Sequence, residues 1–236
     1  MATKIRKPIF KVSLEELLEA GSHFGHIVRR WNPKMASYIW MSRDGVHVFD
    51  LAKTAQKLEE ACEFLYQAAK DGKQIMFVGT KRQAADVVKE VAVRIGLPFA
   101  TERWLGGTLT NWNQIKQRIR HLNELKEKRS KGEFSKYTKK EQLLIDREVE
   151  KLERFFGGMA KLESMPDILF IVDTHKERVA LAEARSRKVT VVGITDSNAN
   201  PQLVDYPIPA NDDAIRSIKL ITQLIGQAVE AGLKAK

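Results

Sequence analysis

Asp167-Ile-Leu-Phe-Ile-Val-Asp173, then a helical stretch over about 175–187, then Val189-Thr-Val-Val-Gly-Ile194, decides how this chain folds. Ile168–Val172 is apolar at every position. A strand with one wet face alternates, whereas an unbroken apolar run belongs to a strand covered on both faces, as in parallel sheets. The strand–helix–strand rhythm with short connections predicts the same arrangement. Upstream, Gln74–Val78 is another short apolar run, ending in Gly79 and followed by a helix over about 82–95 and a brief strand near Pro98–Ala100. Val46–Phe49 alternates as a strand, and Asp50 opens a helix with Ala55, Leu58, Cys62, Leu65 and Ala69 on one side. Ser13-Leu-Glu-Glu16 has capping-box form for a short helix ending near Gly21, and residues 22–36 read as a polar and aromatic loop. Downstream, Pro207-Ile-Pro209 reads as an edge segment, and Asn211-Asp-Asp213 as the cap of a last helix facing inward with Ile215, Ile218, Ile221, Ile225 and Val229. The expectation is a doubly wound, mainly parallel α/β fold of the Rossmann or flavodoxin-like kind, whose strand order is not readable from these patterns.

Residues 112–163 interrupt this rhythm. Trp112, Ile115, Ile119 and Leu122 step by three or four, and Thr138-Lys-Lys-Glu141 forms a second capping box. Ile145, Val149, Leu152, Phe156 and Met159 then step four, three, four, three, a heptad seam. Two long helices joined by residues 131–138 predict an antiparallel coiled-coil hairpin projecting from a globular domain made of 1–111 and 164–236. Between 112 and 156 there are 13 Lys/Arg and 8 Asp/Glu, and such mixed charge is most simply a solvated face.

The chain has 236 residues, Lys+Arg 40 against Asp+Glu 30, and a formal charge of +10. Binding to a phosphate backbone is the commonest use of that surplus, and a merely soluble basic protein is the plain alternative. One cysteine, Cys62, rules out an internal disulfide and suits a reducing compartment. Lys4, Arg6 and Lys7 make a short basic lead and not a signal peptide, and no apolar run reaches the roughly 20 residues of a membrane helix. A cytoplasmic protein is expected, with an organellar origin left open.

Four segments carry candidate chemistry. Arg103-Trp-Leu-Gly-Gly-Thr-Leu-Thr-Asn111 joins a cation, an aromatic, paired glycines and polar tips, so Arg103, Trp104, Gly106, Gly107, Thr108, Thr110 and Asn111 are candidates for contact with a phosphate-bearing partner. Arg29-Arg-Trp-Asn-Pro-Lys34 suits sugar–phosphate recognition through Arg29, Arg30, Asn32 and Lys34, with Trp31 stacking on a base or packing under the sheet. Gly79-Thr-Lys-Arg82 opens a helix, where Lys81 and Arg82 favour an anion, but the spacing is neither a P-loop nor a dinucleotide fingerprint. His23-Phe-Gly-His26 has the spacing of a metal pair. His26 with Asp196, Asp212 and Asp213 would suit zinc, manganese or magnesium if the fold joined them, and otherwise the carboxylates cap backbone amides. Ser22, Ser37 and Ser42 lack a nucleophile-elbow context, and no catalytic set emerges.

His23–His26, Arg29–Met35, Phe77–Gln83, Arg103–Asn111, Pro166–Asp173 and Ile208–Ile215 together resemble the small-subunit ribosomal protein two family in its bacterial or organellar form, over nearly the whole chain and in order. The resemblance implies a five-stranded parallel sheet with an inserted helical coiled coil. It also implies binding to small-subunit rRNA between head and body, no enzymatic activity, one copy per subunit, and help in recruiting the large multi-OB-fold first protein of the subunit. No cofactor is required by it. On this reading Arg29, Arg30, Lys34, Lys81, Arg82 and Arg103 contact phosphate, while His26, Ile119, Leu122, Val149 and Leu152 are candidates for a protein partner. Asn200, where many relatives carry Asp, departs from the pattern. The rival reading is a nucleotide-dependent enzyme of the doubly wound class with a cofactor at Gly79–Lys81.

Overall fold

A computed structural model describes residues 10–236; Lys4, Arg6 and Lys7 lie outside the described residues. Eight strands and seven helices follow in chain order. They are α1 Leu14–Glu19, β1 Phe24–Ile27, β2 Ile39–Arg43, β3 Val46–Phe49, α2 Leu51–Lys70, β4 Ile75–Val78, α3 Arg82–Ile95, β5 Phe99–Ala100, α4 Trp112–Ser130, α5 Lys139–Phe156, β6 Ile168–Val172, α6 Arg178–Ser186, β7 Thr190–Thr195, β8 Tyr206–Pro209 and α7 Ile215–Lys234. Five strands pair in parallel in the order β5-β4-β6-β7-β8.

The unbroken apolar runs have a direct cause. Along β6, Ile168, Phe170 and Val172 point into a core shared with α2, α3 and α7, while Leu169 and Ile171 point into a second core beneath α6 and the α4–α5 pair. Strand β4 divides the same way, Ile75 and Phe77 on one side and Met76 and Val78 on the other. Buried Cys62 lies in the first core, where burial pushes its thiol pKa up to about 12 and leaves it unreactive. Edge strand β8 carries Pro207 and Pro209, which have no N–H to give a further strand.

Helices α4 and α5 fold back on each other, linked by ion pairs from Lys126 to Glu153 and from Arg129 to Asp146. Their buried seam of Ile115, Ile119, Leu122, Leu125, Val149, Leu152 and Phe156 is continuous with the core residues of the sheet. At the base Gly158 sits so close to β5 that a Cβ there would overlap the Phe99 carbonyl oxygen.

Two departures from the sequence reading stand out. The expected loop 22–36 contains β1, and β1, β3 and β2 form a separate antiparallel sheet. Its tight turn is Asp44-Gly45, with φ of 52° and 76°, the left-handed pair that a two-residue hairpin requires. Ile215, expected inward, is exposed, whereas Ile218, Ile221, Ile225 and Val229 are fully buried. In the same turn Ser217 and Ile218 are fully buried, so the covered face of α7 takes in the small polar Ser217 and leaves Ile215 out, and apolar spacing alone put Ile215 on the wrong surface.

Candidate functional site

In a doubly wound sheet the working crevice opens beyond the carboxyl ends of the strands, where successive crossovers leave in opposite directions. Here that point lies between β4, which leads through α3 to β5, and β6, which leads through α6 to β7. Lys81 follows β4 and Asp173 follows β6. Asp173 holds a left-handed backbone at φ 66°, and its carboxylate accepts the Lys176 N–H at 2.8 Å.

The crevice is filled from within. Lys81 Nζ lies 2.6 Å from Asp212 Oδ1, 2.6 Å from Asp213 Oδ1 and 3.1 Å from Asp173 Oδ2, and its side chain is 11% exposed. Burial works to lower the lysine's pKa, but Asp212, Asp213 and Asp173 outweigh it and hold the ammonium charged. The expectation that Lys81 contacts phosphate is therefore corrected: its donors face carboxylates. Beside it Thr80 donates both N–H and O–H to Glu177, whose pKa burial raises. An arriving phosphate would meet carboxylates here, and the Thr80 amide already donates to one of them.

The antiparallel sheet is fastened over the end of β7. His26 N–H donates to Ser197 Oγ at 2.8 Å, Asn32 N–H donates to the Ser197 carbonyl at 2.7 Å, and His26 Nδ1 lies 3.0 Å from Asp196 Oδ1. That hydrogen bond raises the pKa of His26 against the opposing effect of burial. One ligand atom each from His26, Asp196 and Asp212 falls within 4.8 Å of the others. Asp212 is fully buried and its Oδ2 has no hydrogen-bond partner, while burial, with Asp196 and Asp173 nearby, pushes its pKa up to about 8. One imidazole and two carboxylates suit a divalent cation of the zinc type. Asp213 is half exposed and joins the cluster through Lys81 and through His26, whose Nε2 lies 3.5 Å from Asp213 Oδ2. Helix α7 has no side-chain cap at its N-cap Ala214, so neither carboxylate caps it; Asn211 Oδ1 accepts the Asp213 and Ala214 N–H groups in the turn just before it. Asn200 stands apart, capping its own turn through Gln202 N–H.

The 103–111 loop also departs from expectation. Glu183, on the buried side of α6, accepts Trp104 Nε1–H and Gly107 N–H on one oxygen, and Leu109 N–H, Thr110 N–H and Thr110 O–H on the other. Trp104 and Thr108 are buried, Thr108 closing its turn on the Leu105 carbonyl, so neither faces a partner. Arg103, Gly106, Thr110 and Asn111 are exposed, and Gly107 is half-buried at φ 94°. Nothing in the local sequence named Glu183. Its signal was a carboxylate on a helical face shared with Ala180 and Ala184, which demands partners once buried.

Arg29, Arg30 and Lys34 are exposed on two 3₁₀ turns, Asn32 capping the second through Lys34 N–H at 3.0 Å. Trp31 is half-buried and packs on His47 with ring centroids 4.9 Å apart. Arg82 is exposed at the start of α3. Within 4 Å none of Arg29, Arg30, Lys34, Arg82 and Arg103 has a carboxylate partner among the described residues. Ile119, Leu122, Val149 and Leu152, expected at a partner surface, are buried in the α4–α5 seam and unavailable to one. A different apolar surface is open. Phe24, Val48 and Met41 stand in register across the antiparallel sheet, and the neighbouring Trp40 is 71% exposed.

Residues 17–232 of this chain match the family model described as ribosomal protein S2. The chain belongs to the ribosomal protein S2 family. Its role is that of a structural component of the small ribosomal subunit, within the ribonucleoprotein that carries out translation. In this ribosomal protein S2 chain the crevice is occupied by its own lysine and carboxylates. Among the described residues no helix is long and apolar enough to cross a membrane.

Proposed function

We propose that this chain holds small-subunit rRNA through Arg29, Arg30, Lys34, Arg82 and Arg103, lying in single copy between head and body of a cytoplasmic ribosome. The observation that carries this is their common state: all five are exposed and none has a carboxylate partner within 4 Å among the described residues, while Lys81 is spoken for. Cations without internal partners release condensed counterions when they meet a phosphate backbone. Asn32 and Asn111 lie beside them for ribose or base edges. The apolar row Phe24–Val48–Met41 with Trp40 suits the recruitment of a protein neighbour, the multi-OB-fold first protein of the subunit, with His26 beneath it.

The test is association with small subunits depleted of this protein, measured against salt. Replacing Arg29, Arg30 and Lys34 together by Ala should lower the slope of log affinity on log salt by about 0.7–0.9 per lost contact. An unchanged slope in a folded triple variant defeats the assignment.

His26, Asp196 and Asp212 carry a second, smaller proposal, a structural zinc-type cation joining the antiparallel sheet to β7. It is favoured by the unpartnered Asp212 Oδ2. Zinc added to chelator-treated protein should raise Tm, and His26→Ala should abolish the rise; equal shifts in both proteins would count against the site.

A further inference from the structure

We propose that Glu183 is the positioning residue for RNA attachment through the Arg103–Asn111 loop: it gathers the loop's donors inward and thereby fixes Arg103 outward. This rests on the reading that Arg103 meets rRNA.

A turn whose N–H groups converge on one point is a nest for an anion. In this loop the anion is supplied by the chain itself. Glu183 Oε1 accepts from Gly107 N–H at 2.8 Å and Trp104 Nε1–H at 3.2 Å, and Oε2 accepts from Leu109 N–H at 2.9 Å and from Thr110 N–H and O–H at 3.0 Å each. The bonds from Thr110, Gly107 and Leu109 lower the carboxyl's pKa against the raising effect of burial, so it stays an acceptor. No Lys, Arg or His side-chain nitrogen lies within 4 Å of its carboxylate among the described residues; its direct partners are the loop donors. One helical turn on, Arg187 at the C-cap of α6 donates to the Thr110 carbonyl, so α6 and its cap grip the loop by a carboxylate and a guanidinium together. Gly107 at φ 94° provides the left-handed step that lets its neighbours' amides converge.

Two consequences follow for RNA. The amides of Gly107, Leu109 and Thr110 are spent on Glu183 and those of Thr108 and Asn111 on backbone carbonyls, so this stretch cannot bind phosphate by its backbone, and its contribution passes to Arg103 with the exposed Asn111 tip. Because Glu183 orders the loop before RNA arrives, the entropy of fixing it does not oppose binding.

The experiment measures full-length protein binding to small-subunit particles lacking it, across salt, for Arg103→Ala, Glu183→Leu, Arg187→Ala and the paired variants. Glu183→Leu should weaken binding roughly tenfold, as expected when a preorganised loop is released. Its salt slope should fall by about one, as for Arg103→Ala, and the pair should be no worse than the stronger single change. Arg187→Ala, an exposed substitution that leaves the buried carboxylate in place, should show a smaller loss with the same non-additivity, and it serves if Glu183→Leu does not fold. Wild-type affinity in folded Glu183→Leu, or strict additivity of either clamp variant with Arg103→Ala, overturns the positioning role. Should Arg103→Ala itself bind like wild type, the reading of Arg103 as an RNA contact fails, and the proposal with it.

Discussion

Lys81 shows what a residue type can and cannot announce. A lysine after a strand and before a helix speaks of anions, and anions are what it meets, but they are Asp173, Asp212 and Asp213 of its own chain. Replacing Lys81 by Met would leave these carboxylates facing one another with Asp212 fully buried. The expected cost is about 1–3 kcal/mol of stability, read by urea unfolding, because buried Asp212 loses its hydrogen-bond partner and must take up a proton to stay buried. The salt slope of rRNA association should stay at the wild-type value in the fraction that folds. Trp104 teaches the same lesson: its chemistry was legible, its direction was not. The partner that turned it inward, Glu183, lies 79 residues away in sequence, beyond the reach of any local pattern.

At the scale of elements, legibility followed period. Helix α3 begins and ends where expected, at Arg82 and Ile95, because apolar spacing, the following Gly96 at φ 72° and the flanking apolar strand all agree. The capping box at Thr138 and Glu141 is made in both directions. The antiparallel sheet was missed because its outer face is apolar: Phe24, Ile27, Trp40 and Met41 are exposed, so no inward–outward alternation marked β1 or β2. Only the Asp44-Gly45 turn betrayed the hairpin. The α4–α5 pair was visible as two helices, but its dependence on the sheet was not. Since Ile115, Leu122 and Phe156 belong to the core that holds Leu169 and Ile171, cutting out 112–159 with a short linker should strip one sheet face. The remainder is expected to lose cooperative thermal unfolding and to bind a hydrophobic dye, where an autonomous domain would melt sharply.

The whole molecule carries a charge of +10, yet its classical binding crevice is lined by acids. Arg29, Arg30, Lys34, Arg82 and Arg103 are exposed outside it, and a further excess, 13 Lys/Arg against 8 Asp/Glu, lies between residues 112 and 156. The fold class was readable from runs such as Ile168–Val172, and the basic excess from composition. How the two are arranged was not, since composition has no geometry. A nucleotide would have to displace Lys81 from its carboxylates and bring phosphates against Glu177. Equilibrium dialysis against ATP and NAD should accordingly show no saturable micromolar binding.

The two rims of the parallel sheet have a bearing on life before assembly. One rim is stopped by Pro207 and Pro209, and at the other the two-residue β5 abuts the hairpin base at Gly158. Neither invites another polypeptide to extend the ladder. In newly made copies waiting for a transcript, fibril growth along the parallel sheet is therefore stopped at both rims.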